Sequence, residues 1–293
     1  MAQLRRWSRP VRHRLGAWAL RGTRVGLRAL PRSLVPRIGS LFGRLIGLFA
    51  RDASGQITHR LEQTISCPPP VGLIWADLGR RAAEFVIADR LLSRVRLAAG
   101  SETTFLKAQR LGRGVLLAAA HLGNWELMAA ALSSLGFPFE AVAAEPKSGP
   151  IGDLLKQHRQ ELGVRTLSPG QGARRGIRRL KAGGTVAIFV DQSTRERSRP
   201  IEFLGIEAPT SLAFARLKET SHAVPLLIWN HRDGSGDYVV HIEEIPDGDQ
   251  LLWVTTRLGE IIREYPEQWV WLHKRWSERT SRAALQNEVP SPT

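Results

Sequence analysis

The stretch from Gly114 to Met128 constrains this chain most, because it joins a buried strand to a helix through a short polar loop. Val115 to Ala120 is a run of small and apolar residues of the length that a buried strand needs. The run ends at His121, and Trp125 to Leu135 favours a helix. In open α/β sheets, ligands bind at the carboxyl ends of the strands. The stretch therefore predicts an α/β fold with His121 at its functional edge.

The loop after His121 carries the polar residues expected to do chemistry. Asn124 is predicted to cap the helix, which places Glu126 in the first turn, where the helix dipole favours a carboxylate. We expect Glu126 to fold back and hold one imidazole nitrogen of His121, which leaves the other nitrogen as a general base. Backbone amides near Gly123 and at the helix N-terminus are the expected oxyanion donors. On spacing alone, a polar loop whose histidine caps a helix or bonds a carbonyl is the competing interpretation.

Strand and helix patterns alternate downstream of this loop. The expected strands cover 139–144, 164–167 and 185–190, and the expected helices cover 151–162 and 171–181. Alternation at these lengths is typical of parallel strands joined by crossover helices. We therefore predict an α/β fold with a mixed, mainly parallel sheet flanked by helices. The strand at 185–190 runs into Asp191 and Gln192, where Asp191 either caps that loop, positions a partner or acts directly in catalysis.

The N-terminal segment 1–52 is basic and amphipathic. It contains twelve arginines and no acidic residue before Asp52, which accounts for most of the net charge of +15. A helix over 38–50 would have an apolar face of Ile38, Leu41, Phe42, Leu45 and Phe49, and a basic face of Arg37, Arg44 and Arg51. This segment is too short to span a bilayer. Its pattern predicts N-terminal membrane-associated helices that bind anionic lipids, with a further interfacial segment around Trp7 and Trp18.

Three other interpretations of this basic segment stay open. A secretory signal peptide would need an uninterrupted apolar core and a small-residue cleavage site, and neither is visible. An organelle transit peptide is compatible with an arginine-rich, acid-free start, although serine is sparse. A nucleic-acid-binding arm would not need leucine and phenylalanine in helical register, so we expect no nucleic-acid partner.

The cysteine content limits the kinds of site that this chain can form, and the sequence pattern predicts where its segments begin and end. Cys67 is the only cysteine, so the sequence allows neither an intramolecular disulfide nor a zinc site that needs two thiolates. It lies in a rigid Cys-Pro-Pro-Pro connector within a helical lead-in predicted for 53–105. The α/β domain is expected to cover 106–280, and 281–293 is expected to be a disordered tail.

Several sequence motifs of this chain resemble motifs of one enzyme family. His-Leu-Gly-Asn-Trp-Glu at 121–126 resembles the His-x4-Asp/Glu signature of the glycerolipid acyltransferase superfamily, and it is most similar to the bacterial lipid A biosynthesis (lauroyl/myristoyl) acyltransferase family. An apolar strand running into Asp191-Gln192 resembles the family's second box. Residues 201–210 are similar to a Phe-(Phe/Leu)-Gly-x-x-Ala-x-Thr segment that leads into a helix at 210–220. Residues 266–276 resemble the family's C-terminal helix.

This resemblance implies a glycerolipid acyltransferase-like fold and a membrane-associated O-acyltransferase at the cytoplasmic face of a bacterial inner membrane, peripheral or monotopic. The acyl chain would pass from acyl carrier protein or coenzyme A to a hydroxyl of a lipid A precursor. An acidic carrier would suit the basic surface at 174–179. Neither a metal nor a bound cofactor is implied. The alternatives are another acceptor (a lysophospholipid, a phosphatidylinositol mannoside or an aminolipid) and a non-catalytic protein that binds membranes or nucleic acid.

The resemblance also implies a set of site residues. His121 would be the base and Glu126 would fix its tautomer, as the acid does in a serine-hydrolase triad. No Gly-x-Ser-x-Gly motif is present, so direct transfer is expected rather than an acyl-enzyme. Lys274 and Arg275 either clamp a phosphate or form a solvated helix end. The expected substrate-binding residues are Gly123, Asn124, Asp191, Gln192, Arg195, Thr210, Lys274 and Arg275.

Overall fold

The computed structural model describes residues 22–142, 150–167, 169–193, 197–273 and 275–276. Its strands are β1 (Val95–Leu97), β2 (Val115–Ala119), β3 (Glu140–Val142), β4 (Arg165–Leu167), β5 (Thr185–Phe189), β6 (Ser198–Phe203), β7 (Ile206–Ser211), β8 (Val224–Arg232) and β9 (Tyr238–Glu244). Seven of them form one sheet in the order β1-β9-β8-β2-β5-β3-β4, and β6 pairs with β7. Every neighbouring pair in the large sheet is parallel except β8 and β9. The predicted mixed, mainly parallel sheet is confirmed.

Helices flank this sheet. They are α1 (22–29), α2 (Val35–Phe49), α3 (Arg51–Thr64), α4 (Val71–Val86), α5 (Ser101–Arg110), α6 (Trp125–Ser134), α7 (Pro150–Glu161), α8 (Pro169–Lys181), α9 (Ala213–Ser221) and α10 (Gln250–Glu264). Strand β2 lies in the middle of the sheet and is buried at every position, as its apolar run predicts. Asn124 caps α6 as expected, because its side-chain oxygen accepts a hydrogen bond of 3.1 Å from the Leu127 amide.

Two segments differ from the sequence-based expectation. Residues 198–211 form the β6–β7 hairpin, so Thr210 lies in a strand and the next helix begins only at Ala213. Residues 266–268 form one 3₁₀ turn and Trp269 is extended, so the described residues of this segment do not form the predicted α-helix. Trp269 forms a β-bridge with Leu122, because the C-terminal segment bonds to the His121 loop rather than to itself.

Helix α2 packs against α4 through glycines. A Cβ atom on Gly43 would lie 1.9 Å from the carbonyl oxygen of Trp75, and one on Gly39 would lie 2.5 Å from that of Gly79. Only glycine allows the two backbones to approach this closely. The opposite face of α2 is apolar and exposed, with Phe42 63% and Phe49 86% accessible.

The predicted N-terminal helices, expected to lie on a membrane rather than to span it, are not supported as membrane helices by the described residues. No helix in the described part of the chain combines the length and the apolar character needed to cross a bilayer. Residues 1–21, with the predicted interfacial segment around Trp7 and Trp18, lie outside the described residues, as does the predicted tail at 281–293.

Candidate active site

Parallel register places His121 beside Asp191. Strands β2 and β5 are neighbours, and their register pairs Ala119 with Phe189. His121 and Asp191 each follow two residues later, at the same carboxyl edge of the sheet. The two polar boxes, 70 residues apart in sequence, therefore meet in one site.

Asp191 holds His121 at two points. Its Oδ1 lies 2.9 Å from Nδ1 of the imidazole, and its Oδ2 accepts a hydrogen bond of 2.7 Å from the His121 backbone amide. Oδ2 also accepts a bond of 2.9 Å from Nε1 of the buried Trp269. Burial alone would raise the pKa of Asp191, but the charge and hydrogen bonds of His121 outweigh it and keep that pKa well below its ordinary value. Asp191 is therefore a carboxylate, and it favours the tautomer with the proton on Nδ1.

Glu126 does not hold His121, so the predicted contact is wrong. Its carboxylate forms a two-point ion pair with Arg159 of α7, with one bond of 2.9 Å from Nε and a second from Nη2. Both side chains are largely buried, with 15–16% of each exposed. Glu126 lies within the first turn of α6, which directs its side chain towards α7 rather than back over the loop. The pair fixes α7 against α6.

Aromatic rings frame the imidazole of His121. The Phe189 ring stacks on it at a centroid distance of 4.1 Å, and Trp125 makes an edge contact at 5.0 Å. Only 14% of the His121 side chain is exposed. Because Nδ1 is held by Asp191, Nε2 is the nitrogen left to accept a proton from a substrate.

The loop between His121 and α6 is fixed from several sides. The Gly123 amide donates a hydrogen bond of 2.9 Å to the carbonyl of Gln268, and the Asn124 amide donates one of 2.9 Å to the Asn230 side chain. Arg81 of α4 donates a bond of 2.8 Å to the Gly123 carbonyl. Gly123 and Asn124 therefore have no amide left for an oxyanion, and that part of the oxyanion prediction is wrong.

Gln192 and His273 complete the polar surroundings of the base. The amide nitrogen of Gln192 lies 3.3 Å from Nε2 of His121 and 2.9 Å from Nε2 of His273. The two imidazole centroids are 4.4 Å apart. Burial, followed by the charge of His121, lowers the pKa of His273 to about 4. Gln192 was expected at the site, whereas His273 is new to it.

Three expected substrate contacts are structural instead. Asn124 is 2% exposed and, besides capping α6, donates to the carboxylate of Glu84. Arg275 and Thr210 are wholly buried and bond each other at 2.8 Å, and Arg275 also lies over the Phe203 ring. Almost no surface of these side chains is open to a substrate, so the structure gives no support to their predicted role. Arg195 and Lys274 lie outside the described residues.

Sequence reasoning missed the buried charges of α4. Asp77 forms ion pairs with Arg81 and with Arg232 of β8, and Glu84 accepts a bond of 2.6 Å from the Tyr238 hydroxyl. Buried charges are tolerated only when paired, so each pair implies a structural role. The signal in the sequence is four charged residues, Asp77, Arg80, Arg81 and Glu84, spaced along an otherwise apolar helix. Their partners come from distant strands, which no local pattern reveals.

An apolar cavity lies beside the base. It is lined by the same Trp125 and Phe189 rings that contact His121, and it encloses about 520 Å³ with its open mouth included. Among the described residues, the charged ones that line it are the paired Glu126 and Arg159. The rest of the lining is Leu117, Ala119, Met128, Ala129, Leu132, Phe139, Ala141, Val164, Thr166, Ala187 and Ile228. Within the described residues, no group of three or more His, Cys, Asp or Glu side chains is arranged to hold a metal ion.

Two comparisons relate this geometry to known proteins. A family model described as bacterial lipid A biosynthesis acyltransferase matches residues 71–278, which is more than half of the chain. A phosphatidylinositol mannoside acyltransferase of Mycolicibacterium smegmatis is 25% identical over 269 residues, covering 85% of this chain and 88% of that protein. The region matched by the family model contains the whole seven-stranded sheet, α4 and the residues around His121.

Proposed function

Because this chain belongs to the bacterial lipid A biosynthesis acyltransferase family and is an acyltransferase, we propose that it moves a fatty acyl chain from an acyl thioester to a hydroxyl of a membrane glycolipid. The observation that carries this proposal is the His121–Asp191 pair at the carboxyl edge of the sheet, next to an apolar cavity. A base, a means of holding it and a place for an alkyl chain are what direct acyl transfer needs.

The base acts in one proton cycle. Nε2 of His121 takes the proton of the acceptor hydroxyl as that oxygen attacks the thioester carbonyl, and Asp191 stabilises the imidazolium that forms. When the intermediate collapses, the carbon–sulfur bond breaks and the imidazolium protonates the departing thiolate. His121 is then neutral again and ready for the next turnover.

The apolar cavity is the proposed site for the acyl chain of the donor. Its lining of aliphatic and aromatic side chains matches an alkyl chain, which makes no hydrogen bonds. The Glu126–Arg159 pair joins α6 and α7 along this cavity, so the acid of the His-x4-Glu motif supports the chain pocket rather than the base.

The donor is an acyl carrier protein or coenzyme A thioester. Arg174, Arg175 and Arg178 are exposed on α8, and this positive surface would complement an acidic carrier protein. We expect acyl carrier protein to be the better donor for this reason.

The acceptor has two candidates. A lipid A precursor is the first, since the matched family is described by lipid A biosynthesis. A phosphatidylinositol mannoside is the second, favoured by the relative in Mycolicibacterium smegmatis. Both are glycolipids that offer a hydroxyl at a membrane surface.

A thiol-release assay tests the function. The full chain would be given long-chain acyl carrier protein or acyl-coenzyme A together with a lipid A precursor, a phosphatidylinositol mannoside or a lysophospholipid. Acceptor-dependent release of free thiol, with a new acyl ester detected by mass spectrometry, is the expected result. Thiol release with a lysophospholipid alone would overturn the glycolipid proposal, and no turnover with any pair would overturn acyl transfer.

Helix α2 is the proposed membrane contact, at the cytoplasmic face of a bacterial inner membrane. Its glycine face packs on α4, which leaves its apolar face without a partner in the described residues. That exposed face holds Leu41, Phe42, Leu45, Ile46, Leu48 and Phe49. Arg37 and Arg44 are exposed on the same helix, and basic side chains beside an apolar face are typical of helices that lie in anionic headgroups.

Replacing both Phe42 and Phe49 with serine should weaken membrane binding by roughly a hundredfold, because each phenylalanine buried in lipid contributes about 1.5 kcal/mol or more. Co-sedimentation with vesicles containing phosphatidylglycerol measures the effect. Leu111→Ser is the matched control, since Leu111 is 54% exposed and lies outside α2. Unchanged sedimentation of the double variant would contradict the proposed contact.

A further inference from the structure

The attack on a thioester carbonyl creates an oxyanion that needs hydrogen-bond donors. Two backbone amides of the loop after His121 are already bonded, Gly123 to the Gln268 carbonyl and Asn124 to the Asn230 side chain. Fixed donors elsewhere around Nε2 of His121 are therefore required.

Two side chains offer such donors at the right place. The Gln192 amide nitrogen lies between the rings of His121 and His273, 3.3 Å from Nε2 of the first and 2.9 Å from Nε2 of the second. The His273 ring meets the His121 ring at an interplanar angle of 66° and a centroid distance of 4.4 Å. A group bound at Nε2 of His121 is thus within reach of the second imidazole.

We propose that His273 is a catalytic residue that donates an N–H hydrogen bond to the oxyanion of the tetrahedral intermediate. The inference rests on the proposed acyl transfer. The acceptor oxygen forms its bond to the carbonyl carbon while its proton passes to Nε2 of His121. The displaced carbonyl electron pair resides on the oxygen that His273 contacts. That electron pair re-forms the carbonyl double bond when the carbon–sulfur bond breaks, and the departing thiolate takes the proton from His121.

The surroundings of His273 suit a neutral donor. Because burial lowers its pKa to about 4, the ring is uncharged at neutral pH and does not compete with His121 for the proton. A neutral imidazole has one acceptor nitrogen and one N–H. The Gln192 amide nitrogen lies 3.1 Å from Nδ1 and 2.9 Å from Nε2 of His273, so it can donate to whichever nitrogen carries no proton, which leaves the ring N–H for the oxyanion.

The backbone of His273 is held in advance. Its carbonyl accepts a bond of 2.8 Å from the Arg60 guanidinium and one of 2.9 Å from the Arg275 amide. Arg275 is itself wholly buried. A donor that is fixed before the reaction stabilises the transition state without a reorganisation cost. The C-terminal segment therefore delivers a donor to the site.

The test compares His273→Leu, which has no N–H, with His273→Gln, whose amide can place an N–H near the position of Nε2. Loss of one oxyanion donor lowers kcat by roughly 100- to 1000-fold. We expect that decrease for the leucine variant with little change in the KM for the acyl thioester, and at least a roughly tenfold recovery in the glutamine variant. Thioester hydrolysis without acceptor forms the same oxyanion, so it should fall by a similar factor. His273→Phe keeps an aromatic ring without an N–H, and it serves if the leucine variant does not fold.

Wild-type-like kcat in the leucine or phenylalanine variant would overturn the inference and leave the α6 N-terminal amides as donors. A loss confined to transfer, with hydrolysis unchanged, would also overturn it, because it would assign His273 to the acceptor. Either result requires turnover by the wild type and so leaves the proposed function standing. Absence of turnover in the wild type, by contrast, would overturn the proposed function and this inference together.

Discussion

Replacing Asp191 with asparagine should lower kcat by roughly a thousandfold while leaving the fold intact. Oδ2 of Asp191 accepts bonds from the His121 amide and from Trp269, both of which are fixed donors. The asparagine must keep its carbonyl oxygen there, so its amide group faces Nδ1 of His121. Nδ1 then has to accept a hydrogen bond, which moves the imidazole proton to Nε2 and removes the base. In a serine-hydrolase triad the wrong tautomer costs about 10⁴-fold, and the roughly thousandfold loss expected here has the same cause.

Glu126→Gln is the matched control for this prediction. Glutamine keeps the size of the side chain and one hydrogen bond to Arg159, so the rate should fall by about tenfold or less. Single-turnover thiol release separates the two variants, and thermal unfolding verifies that each is folded. A larger loss with Glu126→Gln than with Asp191→Asn would show that Glu126, not Asp191, orients His121.

The contrast between these two acids shows how far the sequence could predict the site. Both His121 and Asp191 could be placed at the carboxyl ends of strands from their apolar runs alone. That the two strands are neighbours, in a register that brings the residues together, depends on the order of the sheet. Sequence proximity instead favoured Glu126, whose partner Arg159 comes from another helix.

The C-terminal segment shows a second limit. Trp269 and Trp276 are both buried, yet the described backbone between them is not helical. It extends along the His121 loop, where the Val270 amide bonds the His121 carbonyl at 3.2 Å. Such pairing between distant segments leaves no periodic signal. For the same reason no local pattern in the sequence connects His273 with His121, although the fold places the two rings side by side.

The helices before the domain were more predictable. The apolar and basic faces of α2 follow directly from residue spacing, and the structure keeps both accessible. The third face, made of Gly39, Gly43 and Gly47, is identified only by its contact with α4. Because α4 also carries Arg81, which bonds the Gly123 carbonyl, the helix pair that presents the exposed apolar face also holds the loop after His121 in place.

His121→Ala should reduce kcat by roughly three orders of magnitude, since it removes both the base and the group that orients the acceptor hydroxyl. Asp191 acts only through His121, so the double variant His121→Ala, Asp191→Asn should be no slower than His121→Ala alone. Rates of thiol release for the four proteins complete a double-mutant cycle, and vesicle co-sedimentation verifies that membrane binding by α2 is unchanged. Additive losses in the double variant would mean that Asp191 also acts independently, for example on the substrate. Near-normal rates in His121→Ala would refute the mechanism, because no other histidine among the described residues forms an ion pair with a buried carboxylate.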